Sequence, residues 1–575
     1  MMILPAGRTL GQNQYTVSLT LKDSTQLDEY TRINKRLFKE SAYRDSIQAQ
    51  KALQDALFTL HQNGYLAAAF DEVICDSVQL KARFFLGKQY KLAYLGKGNA
   101  DVSVLSGTPL RRNFRSNKAF NYTEITRIQK TILNNCENQG YPFASVRLDN
   151  IQLKEDEISA DIHLNKNNPV IIDSVLLRGS AAIAPVFIYN YIGISPGDLY
   201  NESRIRKIDN RLKELPFVRE LRESRVVFTD KQTKIELFLE NKKASQFDGI
   251  LGLLPDDNNE GKYKITGEAH VKLQNSLRRG EIIELNWKQL PSSSQDLKLR
   301  ALYPFLLNTP FGLEGFLSIY RKDSTYTDVI KSLGVQYAFS GNNYLKAFVK
   351  DKDSDLQSSK GLENLTTLPD YADISITAYG LTFHLEELDY RLNPRKGYRL
   401  ETTGSIGNRD IRKNQDINPV LYDSLKLRTT SYQAELIIET YISLSGRHVL
   451  NVGGEGGYIY NRSIFSNELF RIGGLRSLRG FDEESIYAST FSIGKIEYRY
   501  LLEQNSFLFV FLNAAWYENK SRSSSLNDTP WGFGAGINFE TKLGVMSLSY
   551  ALGKQFNNPI LFRNGKIHFG IVNYF

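Results

Sequence analysis

Residues 265–273 read Ile-Thr-Gly-Glu-Ala-His-Val-Lys-Leu. Ile265, Gly267, Ala269, Val271 and Leu273 are apolar or small, and Thr266, Glu268, His270 and Lys272 between them are polar. A period of two marks a β-strand with one apolar and one polar face. The pattern returns at Phe533, Ala535, Ile537 and Phe539 against Gly534, Gly536, Asn538 and Glu540, and at Met546, Leu548, Tyr550 and Leu552 against Ser547, Ser549 and Ala551. Sixteen such segments can be marked between Gln246 and Phe575, separated by clusters of Asn, Asp, Ser, Gly and Pro. Sharing these residues out gives about 20 per strand plus connection, and a membrane-crossing strand uses roughly 9–11 of them.

A large soluble β-sandwich or propeller is the competing architecture. Against it, aromatics recur near strand ends as an interfacial girdle requires, the last residue of the final strand is the aromatic Phe575, and no blade-length repeat is detectable. A transmembrane barrel is therefore the expectation. The mean hydropathy of −0.35 does not oppose it, because outward apolar and inward polar residues average out. The longest apolar runs, such as Phe507 to Leu512, fall far short of the roughly 18 residues of a spanning helix. The 575 residues carry 72 Lys+Arg and 63 Asp+Glu, a net charge of +9. That excess permits contact with anionic lipid and requires no nucleic acid partner. Two cysteines, Cys75 and Cys136, make neither a disulfide framework nor a zinc site.

Glycine divides the chain: 11 of the 41 lie in residues 1–245 and 30 in residues 246–575. The first part repeats itself. Helix-like segments lead to Gly64-Tyr65, to Gly140-Tyr141 and to Leu215-Pro216-Phe217, with Tyr65 to Tyr141 spaced by 76 residues and Tyr141 to Leu215 by 74. Ahead of these points the apolar residues keep helical spacing: Leu53, Ala56, Leu57, Leu60; then Ile125, Ile128, Ile132, Cys136; then Ile205, Ile208, Leu212. Strand-like stretches precede each helix (Tyr15 to Leu21, Tyr90 to Leu95, Val170 to Leu177) and alternating strands follow, as at Ile158, Ala160, Ile162 and Leu164. Each unit is a small α+β module whose helices cover one face of a sheet. The expected organisation is an N-terminal segment 1–12, modules at 13–87, 88–166 and 167–243, and a barrel at 244–575.

A string of such modules ahead of a barrel resembles the BamA/TamA family of outer-membrane assembly proteins, the surface antigen D15-like group. Three motifs carry the resemblance. Gly-Tyr-Pro-Phe-Ala-Ser-Val at 140–146 is similar to the exit of the second helix of a POTRA module. Asn393-Pro394-Arg395-Lys396-Gly397-Tyr398, preceded by Asp389, is similar to the family's mid-barrel turn. The most specific is Gly473-Gly474-Leu475-Arg476-Ser477-Leu478-Arg479-Gly480-Phe481, whose Arg-Gly-Phe core resembles the signature of the family's sixth extracellular loop. Three modules resemble the TamA subgroup more than BamA. The implied fold class is α+β periplasmic POTRA modules followed by an all-β transmembrane barrel of 16 antiparallel strands, in the bacterial outer membrane with the modules in the periplasm.

The resemblance also implies site residues. The loop folds back into the lumen, where Arg479, Gly480 and Phe481 form the motif and Glu497 is the expected wall partner. Lys495, Glu497 and Arg499 share one face of the strand Ile493 to Leu501. Asn513 stands where the family often has Asp, so a hydrogen bond replaces the second charge. Read without the resemblance, Arg479 is an ordinary loop arginine. The expected barrel seam joins Phe247 and Ile250 of the first strand to Phe569, Gly570, Ile571 and Phe575 of the last.

No His-Glu-x-x-His, Gly-x-Ser-x-Gly or phosphate-loop motif is present, so no enzyme activity, catalytic residue, metal or cofactor is expected. His270 reads as a solvated lumen residue and Glu284, Glu435, Glu439 and Glu497 as the lining of a polar lumen. Gly453 to Gly457 read as strand bending or close packing, and Arg111, Arg112 and Arg115 as a solvated loop. Met1 to Gly11 is not a signal peptide, which points to a start assigned too far downstream or to a processed chain. Three functions remain open: a noncatalytic insertase whose seam opens sideways to pair with client strands, a dedicated two-partner secretion exporter, and a porin-like channel. The partners implied are client outer-membrane or secreted proteins, outer-membrane lipid, and a periplasmic or inner-membrane partner on the POTRA modules.

Overall fold

The computed structural model describes residues 16–22, 43–75, 79–111, 114–255, 263–290, 294–340, 342–357, 365–390, 393–541, 544–556 and 558–574. The chain forms two compact units: Met1–Ile172 with Gly197–Ile205, and Asp173–Pro196 with Arg206–Phe575.

In the first unit, the first module consists of β1 (Thr16–Leu21), α1 (Ser46–Gln62), β2 (Ala69–Cys75) and β3 (Gln79–Phe85). β3 is central, parallel to β1 and antiparallel to β2. The Asp45 side chain caps α1 by accepting from the Gln48 N–H at 2.7 Å. Ala49, Leu53, Ala56 and Leu60 then bury one helical stripe on Leu80, Ala82 and Phe84, alternate residues of β3. The second module repeats the scheme with β4 (Lys91–Gly96), β5 (Phe114–Ala119), α2 (Tyr122–Glu137), β6 (Ser145–Lys154) and β7 (Glu157–Asn165). Ile125, Ile128, Ile132 and Cys136 pack on Ile158, Ala160, Ile162 and Leu164. β5 is an addition that the sequence reading missed: Arg115, expected in a loop, pairs with Tyr94 of β4, and Arg112 lies outside the described residues.

The Gly-Tyr points have a conformational cause. Gly64 and Gly140 have φ of +95° and +99°, which L side chains rarely adopt. The Gly64 carbonyl accepts from the Tyr90 N–H and the Gly140 carbonyl from the Val170 N–H, each at 2.8 Å, so each glycine ties its helix exit to the segment leading into the next module.

The second unit opens with the third module: β8 (Ser174–Arg178), α3 (Pro185–Ile192), α4 (Ile208–Glu214), β9 (Val218–Phe228) and β10 (Thr233–Asn241). Its central β10 is again parallel to the first strand and antiparallel to the middle one. The single helix expected through Ile205, Ile208 and Leu212 is broken; Glu202–Ile205 is a separate turn, and Ile208 and Leu212 alone are buried. α3 sits on two barrel turns. Ala184 N–H donates to the Arg278 carbonyl at 2.7 Å, and the Phe187 and Phe305 rings lie 5.3 Å apart. A Cβ at Gly280 would fall 1.9 Å from the Phe187 ring, which fixes that turn residue as glycine.

Among the described residues, sixteen antiparallel strands from Gln246–Pro255 to Lys566–Tyr574 close into a barrel, the last pairing with the first. The fourteenth strand is interrupted, and its parts Ser525–Asp528 and Trp531–Thr541 both pair with the thirteenth, Phe507–Lys520. That thirteenth strand explains the apolar run at 507–512. Leu508, Val510, Leu512 and Trp516 face outward, while Phe507, Phe509 and Phe511 are buried inside the wall. One face meets lipid and the other meets a loop. At the end away from the third module, Leu368, Ala372, Ile374, Ile411, Ile417, Tyr422 and Phe465 form an apolar roof from three connections. The roof is held by Arg409, 1% exposed, whose guanidinium pairs with both Glu468 oxygens at 2.8 and 2.6 Å.

In the third module Glu220 is pushed up from its ordinary 4.5 to about 7 by burial and by the Asp209 carboxylate beside it, against the weaker pull of Lys213 at 3.7 Å. The folded module then binds more protons than the unfolded chain between about 4.5 and about 7, and its stability falls as pH rises through that window. Limited proteolysis of the full-length protein should cut the third module faster at pH 8 than at pH 5, and Glu220→Gln should remove the difference.

Candidate functional site: a loop seated on the inner wall, and the seam beside it

The connection between the eleventh strand (His448–Tyr460) and the twelfth (Thr490–Leu501) holds a short hairpin, Phe470–Ile472 with Ile486–Ala488, and carries the Arg-Gly-Phe motif at its tip. Period-two geometry turns Lys495, Glu497 and Arg499 of the twelfth strand inward, as expected. Arg479 Nη1 lies 2.5 Å from Glu497 Oε2, and Arg479 Nη2 donates to Asn513 Oδ1 at 3.2 Å. The guanidinium stacks 3.5 Å over the Phe511 ring. The structure thus brings together Arg479, Glu497 and Asn513, and Asn513 supplies the hydrogen bond expected of it.

Three further partners were not read from the sequence. Arg499 Nε donates to Glu497 Oε1 at 2.7 Å, so one carboxylate, 7% exposed, lies between two guanidiniums. Arg499 Nη1 donates to Asn393 Oδ1 at 3.1 Å, and Asn393 Nδ2 donates to the Gln504 carbonyl at 3.0 Å. Asn393 belongs to the turn whose Asp389 Oδ1 accepts from Arg395 and Lys396 N–H at 2.9 and 3.0 Å. Two of the three motifs that carried the resemblance are therefore one network. Only the alternation that puts Arg499 on the face of Glu497 could have hinted at it.

Backbone fit completes the seat. Gly480 has φ of +97°, and a Cβ there would lie 2.6 Å from the Leu552 carbonyl oxygen. A Cβ at Gly532 would lie 1.9 Å from the Arg479 carbonyl oxygen, and one at Gly553 would lie 2.5 Å from that of Gly480. Loop and wall meet main chain to main chain, which only glycine allows. Phe481 is buried with Leu478, Ile486, Phe491, Ile493 and Tyr517. Gly457, in the glycine run of the eleventh strand, faces the Phe470 and Phe491 rings at 2.4–3.0 Å from a built Cβ, so close packing is its role.

At the seam, Gln246↔Tyr574 through Leu253↔Ile567 are register partners. Phe247 pairs with Asn573, Ile250 with Gly570, Leu251 with Phe569 and Gly249 with Ile571. Phe247, Leu251, Ile567 and Phe569 are exposed on the outer face, whereas Ile250 shares the inner face with the buried Asp248. Ile250 thus lines the lumen side of the seam. Phe575 lies outside the described residues. His270, expected to be solvated, instead lies 2.8 Å from Asp248 with 14% of its side chain exposed. Glu284 pairs with Lys272 and Arg300, both at 3.1 Å, as lumen lining. Among the described residues no group of three or more His, Cys, Asp or Glu is placed to hold a metal ion.

Residues 318–575 match the family model described as the Omp85 superfamily domain. The loop and its seat lie within these matched residues. No curated protein matches the chain. Among solved structures, CdiB from Acinetobacter baumannii is similar over 97% of this chain and 100% of its own, with 12% identity and a TM-score of 0.55. CdiB from Escherichia coli is similar over 92% and 97%, with 12% identity and a TM-score of 0.54. These likenesses concern the fold. BamA from Haemophilus ducreyi lacking POTRA domains 1–3 covers 84% of this chain and 100% of its own, at 15% identity and a TM-score of 0.44, and no argument rests on it. The matched residues supply the inner-wall strands and the motif loop; the seam adds the first strand, upstream of them.

Glu497→Gln leaves two buried guanidiniums without their carboxylate, and should cost about 3–5 kcal/mol, seen as a lower unfolding temperature of the detergent-solubilised barrel. Asn513→Asp, which adds a charge beside Arg479, should leave that temperature unchanged or raise it. Gly532→Ala should unseat the loop tip and make the 473–483 segment accessible to added protease.

Proposed function

We propose that this chain is a noncatalytic outer-membrane assembly factor whose modules receive client proteins and whose seam delivers them into the membrane. The carrying observation is the chemistry of the seam. It spans eight register pairs, no more than the second–third and third–fourth strand pairings, and it joins the two terminal strands of the barrel, so no connecting segment ties its two sides together. Three of the eight contain glycine: Gly249↔Ile571, Ile250↔Gly570 and Gly252↔His568. Cross-strand side-chain pairs are the unit of sheet stability, and glycine supplies none. The last strand's other pairing, with Gly544–Lys554, spans seven pairs, so this strand is weakly held on both edges. A seam that parts exposes a row of unpaired N–H and C=O groups, which an incoming strand satisfies by backbone hydrogen bonds without sequence selectivity.

The barrel's exposed apolar outer face supports an outer-membrane location, and in this reading the modules lie in the periplasm. The presence of three modules that share a three-strand sheet pattern, to which the second adds β5, supports the TamA-like reading over the BamA-like one. Client outer-membrane or secreted proteins, lipid, and a periplasmic or inner-membrane partner on the modules are the partners of this reading. The apolar roof and the seated loop argue against a porin-like channel, since both fill the path through the lumen.

A photo-crosslinking residue at Leu251, which faces outward at the seam and pairs with Phe569, tests the reading in living cells. Many different barrel proteins trapped through their terminal strands are expected. A single large secreted protein would indicate a dedicated exporter instead, and an absence of protein adducts would overturn the client role of the seam.

A further inference from the structure

The tip of the motif loop is seated on the twelfth to fifteenth strands, but its flanking charges reach further. On one side Asp482 Oδ1 lies 2.6 Å from Lys566 Nζ on the last strand. On the other, Arg476 Nη2 donates to Glu268 Oε1 on the second strand at 2.8 Å. Glu483 Oε2 lies 3.9 Å from Lys288 Nζ on the third strand, and the same ammonium lies 3.7 Å from Glu268 Oε2. Asn286 Nδ2 also donates to Glu268 Oε1, at 2.6 Å. The arms are stiffened from within the loop. Leu475 N–H donates to Glu483 Oε1 at 2.8 Å, and the Arg476 carbonyl accepts from Lys495 Nζ of the twelfth strand at 3.0 Å.

These contacts straddle the seam. The last strand lies on one side, the second and third strands on the other, and the first strand lies between them. We propose that Arg476, Asp482 and Glu483 form an ionic latch that holds the two walls of the seam together from the lumen side. This rests on the reading that the seam opens. The loop is fixed to the C-terminal wall by Glu497 and by the glycine contacts, so it moves with that wall and keeps the last strand through Lys566. Opening therefore separates Arg476 from Glu268 and Glu483 from Lys288, and the first three strands swing away while the last strand stays. The eight pairs of the seam are only part of what holds it shut. Because the latch is made of charge pairs, of which Arg476 is 55% exposed, it yields to competing charge or raised ionic strength, whereas the backbone pairing of the seam is much less sensitive to either.

The test uses the full-length protein in proteoliposomes with Cys75→Ser and Cys136→Ser. Ile250→Cys and Gly570→Cys serve as a reporter of seam closure. They are register partners on the lumen face, and a Cβ at Gly570 lies 3.7 Å from Ile250 Cγ1. With the latch intact, mild oxidation should join them in most molecules. Adding Arg476→Gln and Glu483→Gln should slow disulfide formation at least threefold. Exchanging the charges of one pair, Arg476→Glu with Glu268→Arg, should restore the rate that Arg476→Glu alone loses. Each variant is first shown to be a folded barrel by its heat-modifiable migration. An unchanged rate in the double glutamine variant, or a charge exchange that restores nothing, overturns the latch. The reporter needs no client, so a failed latch and a failed assembly role give separate results.

Discussion

The seating of the motif loop turns on one carboxylate. Glu497 is nearly buried and is shared by Arg479 from the loop and Arg499 from its own strand. A buried carboxylate with one guanidinium would barely offset its loss of water; here two guanidiniums share it, and the net positive charge that remains is solvated by the side-chain oxygens of Asn513 and Asn393. If the loop leaves, Glu497 keeps only Arg499 and Asn513 loses its cation. That single constraint keeps the tip against Gly532 and Gly553, fills the lumen, and places Arg476, Asp482 and Glu483 where they meet both walls of the seam.

The seam and the loop divide the work of closure. A barrel is stable because it leaves no edge unpaired, and that closure fails where side chains add least to the ladder. Here the pairing of the two terminal strands spans eight pairs, three of them with glycine, and no connecting segment backs it, whereas every other neighbouring pair is also joined through the chain. The interior loop, not the strands alone, then decides how readily the wall parts. The third module is joined to the same body through α3 and the turns at Arg278 and Phe305, and it directly precedes the first strand in the chain.

Much of this was legible before the structure. Alternation fixes which side chains face lipid, so the sixteen strands and the inward Glu497 and Arg499 follow from parity. The helical stripes at Leu53 to Leu60 and Ile125 to Cys136 follow from spacing in the same way. What parity does not contain is which residues of distant strands stand opposite one another. The link from Asn393 to Arg499 joins positions 106 residues apart, and that from Arg476 to Glu268 joins positions 208 apart. Neither leaves a local trace. β5 was missed because Phe114–Ala119 mixes charged and apolar residues without clean alternation, and its pairing with β4 carries a register shift. The run Phe507–Leu512 is apolar on both faces because the usual polar inner face is replaced there by aromatic rings, one of them under Arg479.

In the proposed role, client proteins enter the membrane through the parting of Gln246–Pro255 from Lys566–Tyr574. A disulfide between Ile250→Cys and Gly570→Cys closes that route without touching the modules or Glu497. Assembly of outer-membrane proteins, followed by pulse-labelling in cells that depend on this chain, should stop when the disulfide forms and resume on reduction. Undiminished assembly with the seam covalently closed would contradict the account.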